Sequence, residues 1–286
     1  MKIKKVSLFG IINGTILIIL ALLCIYPFYF SVIVSISSSS MGSNVNTIFI
    51  PKGVTLDAYK LILRPNFFDA FKISVLRTFI GTAIALVMQC SLAYGLSKSY
   101  LKGHSFFRLM VVFTLIFSGG MIPTYLIVRG TKLLNTIWAL IIPGAVSSWN
   151  VVILTSFFQS IPESIEESAK IDGANDIIIL IRLILPLSMA SVMTIGLFTA
   201  VGHWNSLMDG VLYITKSNLK PLQNFLYNLI MQSKMWDMYA AQGEQDIPTM
   251  SIENAAIMCS TLPILLVYPF IQRYFIKGVM LGAIKG

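Results

Sequence analysis

An all-α, polytopic membrane protein with six transmembrane helices is the fold that this sequence predicts. Its composition, its charge-free windows and the basic residues between those windows all point there. Hydrophobic residues make up 56% of the 286 and charged residues only 12%, with a mean hydropathy of +0.80. A soluble domain carries about 25% charged residues. Half that supply cannot build a water-facing surface, so lipid must cover most of the chain. The net charge of +9 would suit nucleic acid only if the basic residues clustered on a soluble face. They fall mostly between apolar runs, as in membrane proteins. Cys24, Cys90 and Cys259 lie inside apolar runs, without metal-ligand spacing or obvious pairing. They read as small buried hydrophobes.

The windows place the helices. The first is apolar from Val6 to about Ile36. Thr78 to Ser97, Leu109 to Val128, Leu133 to Pro162, Leu183 to Met208 and Asn254 to Gln272 are free of charge and bounded by charged residues. Each offers the roughly 20 residues that a helix needs to cross about 30 Å of hydrocarbon. Six spans put both termini on one side. Lys2, Lys4 and Lys5 before the first run place that side in the cytoplasm. The first run is too long for the h-region of a signal peptide, and no A-x-A-like site follows it, so it reads as a retained helix.

Two longer segments then face outward, Ser37 to about Asp69 and about Asn205 to Glu253, the second with a short helix around Asn224 to Met231. The expected division is an N-terminal helix and external loop over residues 1–70, added to a membrane core over 71–286. Pro27, Pro123, Pro143, Pro263 and Pro269 fall inside spans. Lipid tolerates them where neighbouring helices re-satisfy the freed carbonyls.

One inside segment breaks the basic pattern. It reads Ser160-Ile-Pro-Glu163-Ser-Ile-Glu166-Glu167-Ser168-Ala169-Lys-Ile-Asp172-Gly173-Ala-Asn175. Ser160 and Glu163 fit a capping box, and acidic residues suit the positive end of a helix. Gly173 can take the left-handed conformation that ends it. The prediction is a short polar helix at the cytoplasmic surface, followed by a helix that enters the membrane through Leu185-Pro186. By charge alone this is either a connecting helix with a solvated acidic face or an element that docks a partner.

The spacing Glu167-Ser168-Ala169-(three)-Gly173-(nine)-Leu183-x-Leu185-Pro186 resembles the EAA loop of ABC importer permeases, E-A-A-x3-G-x9-I-x-L-P. Ser168 replaces the second-position Ala and Leu183 the Ile, both close in size and character. Further stretches resemble the carbohydrate-uptake branch of that family, its MalG-like, LplC/YtcP-type members. They are Gly119-Gly-Met-Ile-Pro123-Thr-Tyr125, Leu134-Asn-Thr-Ile-Trp138, His203-Trp-Asn205 and the tail from Tyr268-Pro-Phe-Ile-Gln272 through Gly278 to Lys285-Gly286.

The resemblance implies a type I ABC importer transmembrane domain, half of the pathway for a sugar delivered by an external binding protein. It implies a bacterial plasma-membrane location. Partners would be a second homologous permease and two cytoplasmic ATPase subunits. The loop over about 160–186 would couple to the ATPase through Glu163, Glu166, Glu167, Ser168, Ala169, Asp172, Gly173, Leu185 and Pro186. Small Ser168 and Ala169 would let a partner approach, with Glu166 and Glu167 meeting basic groups at its rim. The tail, with Lys277, Lys285 and Gly286, would reach the ATPase too, although a basic lipid-facing end fits the same residues.

This chain itself should carry no cofactor, with ATP and Mg on the partner subunits. A phosphate-binding loop needs G-x4-G-K-[ST], and the sequence contains no Gly-Lys dipeptide. The pattern shows no catalytic constellation or metal-ligand spacing. Polar and aromatic groups inside spans are candidates for a substrate pathway: Gln89, Trp149, Asn150, Gln159, His203, Trp204 and Asn205. Aromatic faces stack on sugar rings and amides bond hydroxyls, but interfacial anchors and interhelical bonds use the same types. The alternative function is an ion-coupled secondary transporter, which would need ionisable groups within spans. Arg77, Asp209 and Glu253 stand only at window edges.

Overall fold

The computed structural model describes residues 8–37, 51, 53–239 and 249–283, with the backbone alone for 236–239, 268 and 270–283. The described residues are helical almost throughout. Among the described residues the only extended pairing is a bridge between Ser37 and Val54. Its helices are α1 (Leu8–Ser35), α2 (Asp57–Ile62), α3 (Pro65–Ser97), α4 (His104–Ile116), α5 (Met121–Gly130), α6 (Ser148–Gln159) and α7 (Glu163–Ile171). Then follow α8 (Asp176–Ile179), α9 (Leu185–Leu187), α10 (Met189–Asn205), α11 (Met208–Tyr213), α12 (Leu222–Tyr239) and α13 (Thr249–Ala283).

Three of these can span a membrane unaided by length and composition: α1, α3 and the Thr249–Val267 part of α13. Three further spans exist if each of three bent pairs counts as one. The window Leu109 to Val128 is not a straight helix: α4 and α5 meet at 118° across the Ser118-Gly119-Gly120 break. The next window begins as 3₁₀ turns over Ile137–Gly144, which meet α6 at 51°. In the third pair, a bend of 86° separates Asp176–Leu187 from α10. Pro186 has no N–H to give the preceding turn, and a π turn over Leu180–Ile184 absorbs the mismatch.

The chain divides into two compact units, Met1–Pro65 with Leu226–Pro263, and Asn66–Phe225 with Ile264–Gly286. In the first, the apolar window of α1 is unburied, and burial begins only at Ser31, Ile33 and Val34. There Ser35 Oγ lies 2.8 Å from the Tyr59 hydroxyl of α2, and Thr55 N donates to Ile36 O at 2.9 Å. Lys234 and Glu253 pair at 2.8 Å between α12 and α13. Cys24 is exposed on α1, against the expectation of a buried thiol; Cys90 is buried.

In the second unit the core joins α3, α4, α6, α8 and α10 through Cys90, Ala93, Tyr94, Val111, Leu154, Phe158, Ile179 and Ile195. Small residues let the backbones close, as lipid-embedded helices require. At Gly81 an added Cβ would stand 2.6 Å from His203 Nε2, so this contact between α3 and α10 admits no larger residue without a shift. His104, at the start of α4, places Nε2 2.9 Å from Leu96 O and satisfies a terminal carbonyl of α3.

Candidate functional site

The acidic segment folds as a helix of nine residues. Pro162 occupies its N-cap with φ −57° and ψ 131°. The expected capping box does not form. Ser160 is the C-cap of α6, in helical conformation, and its hydroxyl donates back to Phe157 O at 2.7 Å. Gly173 has φ +83°, and Ala174 N donates to Ala169 O at 2.9 Å, closing the helix end. Asn175 then caps α8, its Oδ1 accepting from Ile178 N at 2.9 Å.

The faces of α7 differ. Glu163, Glu167, Ser168 and Asp172 are exposed, and Ile171 is 87% exposed. Ala169 is half-buried against the core of its own unit. Glu166 is not a rim charge: it is buried, and both its carboxylate oxygens accept from the Lys98 ammonium. On the open side Lys170 Nζ donates to the Tyr100 hydroxyl at 3.1 Å and stands 3.8 Å from Asp176. The Tyr100 bond, chiefly, holds the Lys170 ammonium above its usual pKa. Leu185 packs on the core, and Pro186 is exposed in the first turn of α9. Lys277 lies where α13 is described by backbone alone; Lys285 and Gly286 lie outside the described residues.

A cavity of ≈ 630 Å³ opens within the same unit. Gln89, Asn150 and His203, three of the polar residues singled out in the sequence, line it. Gln89 Nε2 donates to Ala145 O at 2.9 Å, and Asn150 Nδ2 to Thr199 Oγ1 at 3.5 Å. The other candidates fall elsewhere. Trp149 is 63% exposed, one helical step from Asn150 and turned off the lining. Trp204 is buried edge-on against Phe71, ring centroids 5.8 Å apart. Asn205 and Gln159 are exposed at helix ends. The sequence reading missed Arg77 and Asp209, which form an ion pair in the cavity wall. Arg77 Nη1 also donates to Ser206 O at 3.4 Å, and Ser206 Oγ to Asp209 Oδ1 at 2.6 Å. Among the described residues no group of His, Cys, Asp or Glu could hold a metal ion.

Residues 99–281 match the family described as "Binding-protein-dependent transport system inner membrane component". The chain belongs to that family. This membership makes it a membrane permease component, a transport subunit and not an enzyme. The match takes in α4 to α12 and most of α13.

The family member is similar over its whole length to the polygalacturonan/rhamnogalacturonan transport system permease protein YtcP of Bacillus subtilis (strain 168). The two are 41% identical over 285 residues, 99% of this chain and 100% of the relative. Protein LplC of the same organism is 41% identical over 267 residues, 92% of this chain and 90% of LplC. A solved bacterial ABC transporter involved in the import of the acidic polysaccharide alginate superposes with a TM-score of 0.81. It is 29% identical, covering 96% of this chain and 99% of that one. The all-α permease architecture with up to six spans is therefore the fold of this chain.

Proposed function

We propose that the chain forms half of the translocation pathway of an ATP-driven sugar importer. The pathway would be completed by a second, homologous permease and fed by an external binding protein. Two cytoplasmic ATPase subunits would carry ATP and Mg and drive it through α7. The observation that carries this reading is α7 itself. It is a short polar helix outside the apolar spans, closed by a left-handed glycine, with Glu167, Ser168 and a nearly bare Ile171 left uncovered. An exposed isoleucine beside small and acidic residues fits a protein partner better than water. YtcP and the alginate transporter supply the substrate class. An oligosaccharide from an acidic polysaccharide is the first ligand to try.

The cavity favours a polar solute: Gln89, Asn150, Thr199, His203 and the Arg77–Asp209 pair all line it. An ion-coupled carrier could use such a pair as well, and one experiment separates the two readings. The chain is co-expressed with its partner permease, ATPase and binding protein, and uptake of labelled oligogalacturonate is measured. Inactivating the catalytic Glu of the ATPase should abolish uptake. Uptake that survives, or transport by this chain alone in liposomes, would favour the ion-coupled carrier.

Orientation has its own check. In a cysteine-free background, a membrane-impermeant thiol reagent applied outside intact cells should label Gly53→Cys and Ser217→Cys. It should not label Gly103→Cys, between α3 and α4. Labelling at position 103 would reverse the assignment of both termini to the cytoplasm.

A further inference from the structure

We infer that the buried Lys98–Glu166 pair is the strut through which movement of α7 reaches α3, so that Glu166 is a positioning residue for transport and not a contact of the ATPase. The inference rests on the reading of α7 as the docking helix.

Both side chains are nearly enclosed, Lys98 11% and Glu166 7% exposed. The ammonium meets both carboxylate oxygens and also stands 4.6 Å above the Tyr94 ring, one turn back on α3. A pair shielded in this way is screened little by salt, and neither charge can leave it without being stranded in an apolar wall. By contrast Lys170, Tyr100 and Asp176 make their contacts on the open side, with Lys170 42% and Asp176 64% exposed. Exposed pairs of that kind yield easily.

The covalent routes out of α7 are poor conductors of a push. Towards α10 the chain passes the Gly173 turn, the π turn over Leu180–Ile184 and the 86° bend. Towards α6 it passes Ile161 and Pro162, where the helix is interrupted. Lys98 instead sits one residue beyond α3, which runs unbroken for 33 residues. At 1.5 Å per residue that is a rod of about 50 Å. Along it lie Gln89 and Arg77, both in the cavity wall. A displacement of α7 held rigidly to Lys98 is therefore delivered to the cavity without crossing a hinge.

The test uses the assembled transporter, reconstituted with its binding protein and labelled oligogalacturonate, and reads uptake and ATP hydrolysis together. Glu166→Gln keeps the shape and removes the charge. It should leave the ATPase subunits co-purifying in normal ratio and hydrolysis running. Uptake per ATP should fall about tenfold, within the usual range of coupling between sites. Lys98→Met should do the same, Lys98→Arg should keep most of the coupling, and the exchange Lys98→Glu with Glu166→Lys should restore much of it. Normal uptake per ATP in Glu166→Gln would overturn the strut. So would loss of the ATPase from that variant, which would make Glu166 a docking contact. So would parallel loss of uptake, hydrolysis and protein at the membrane, the mark of a purely structural pair. If the unaltered chain fails to retain an ATPase, the docking reading itself falls, and the variants play no part in that result.

Discussion

Asp209→Leu should be the most damaging single change in the cavity, and clearly worse than Arg77→Met. The two residues pair, yet their surroundings differ. Arg77 is 2% exposed and Asp209 22%. Without Asp209, the guanidinium keeps, among the described residues, the long bond to Ser206 O at 3.4 Å. A charge stranded in this way costs roughly 3–5 kcal/mol. Without Arg77, the Asp209 carboxylate keeps the Ser206 hydroxyl at 2.6 Å, the Gly210 N–H at 3.0 Å and partial access to water. The same logic makes the double replacement Arg77→Met with Asp209→Leu milder than Asp209→Leu alone, because nothing charged is left behind. Thermal unfolding of the purified complex, with uptake alongside, measures all three. Equal losses for the two single variants would show that the guanidinium finds solvent or another acceptor, and the asymmetry argument would fail.

The pair also shows where sequence reading stops. Arg77 and Asp209 stand at the edges of charge-free windows, the usual place for charges that snorkel to water. Their side chains turn towards each other instead, across 132 positions of sequence. Nothing in one sequence marks that meeting. A window sum is equally blind to direction: it found the apolar run from Leu109 to Val128 but not the 118° break inside it. Hydrocarbon transfer depends on composition, whereas a break depends on local backbone at Ser118-Gly119-Gly120. Trp149 and Asn150 make the same point on a smaller scale. They are neighbours in sequence and about 100° apart around a helix of 3.6 residues per turn, so only one can face the cavity. Helix phase decides which, and α6 has too even an apolar surround to reveal it.

Local chemistry was far more legible. The short helix was expected to start from a Ser160 cap, with Pro162 in its first turn, and to end at Gly173; it runs Glu163–Ile171 with Pro162 as its cap and Gly173 at φ +83°. Those limits come from proline, acid and glycine acting on their own backbone, and they need no distant partner. The capping box failed for a related reason. Ser160 was already engaged by the end of α6, and an element's start can be spoiled by the previous element's finish. The helix around Asn224 to Met231 proved longer, Leu222–Tyr239, because its polar ends gave no signal of where the turns stop.

Ala169→Asp should abolish most uptake while leaving the protein in the membrane. Ala169 is half-buried, with its methyl on the core of its own unit, so α7 is seated on this face and exposed on the other. A carboxylate there meets two penalties. One is repulsion from Glu166, one turn earlier, which is worth only a few tenths of a kcal/mol. The other is removal of a charge from water against apolar side chains, several kcal/mol for full burial and less at this partly open position. The second dominates, and the cheapest relief is for α7 to lift off. No span need unfold, since α7 lies outside all of the candidate spans. Gly173 supplies the control. An added Cβ there meets nothing within 4 Å, so substitution acts through backbone strain alone. Gly173→Val should therefore lose uptake, at a cost of roughly 1–2 kcal/mol, whereas Gly173→Asn, which tolerates the left-handed region, should keep most of it. Membrane content, ATPase co-purification and uptake are compared across the three variants. Wild-type uptake in Ala169→Asp would mean that the seating of α7 does not matter to transport, and its role in docking the ATPase would have to be given up.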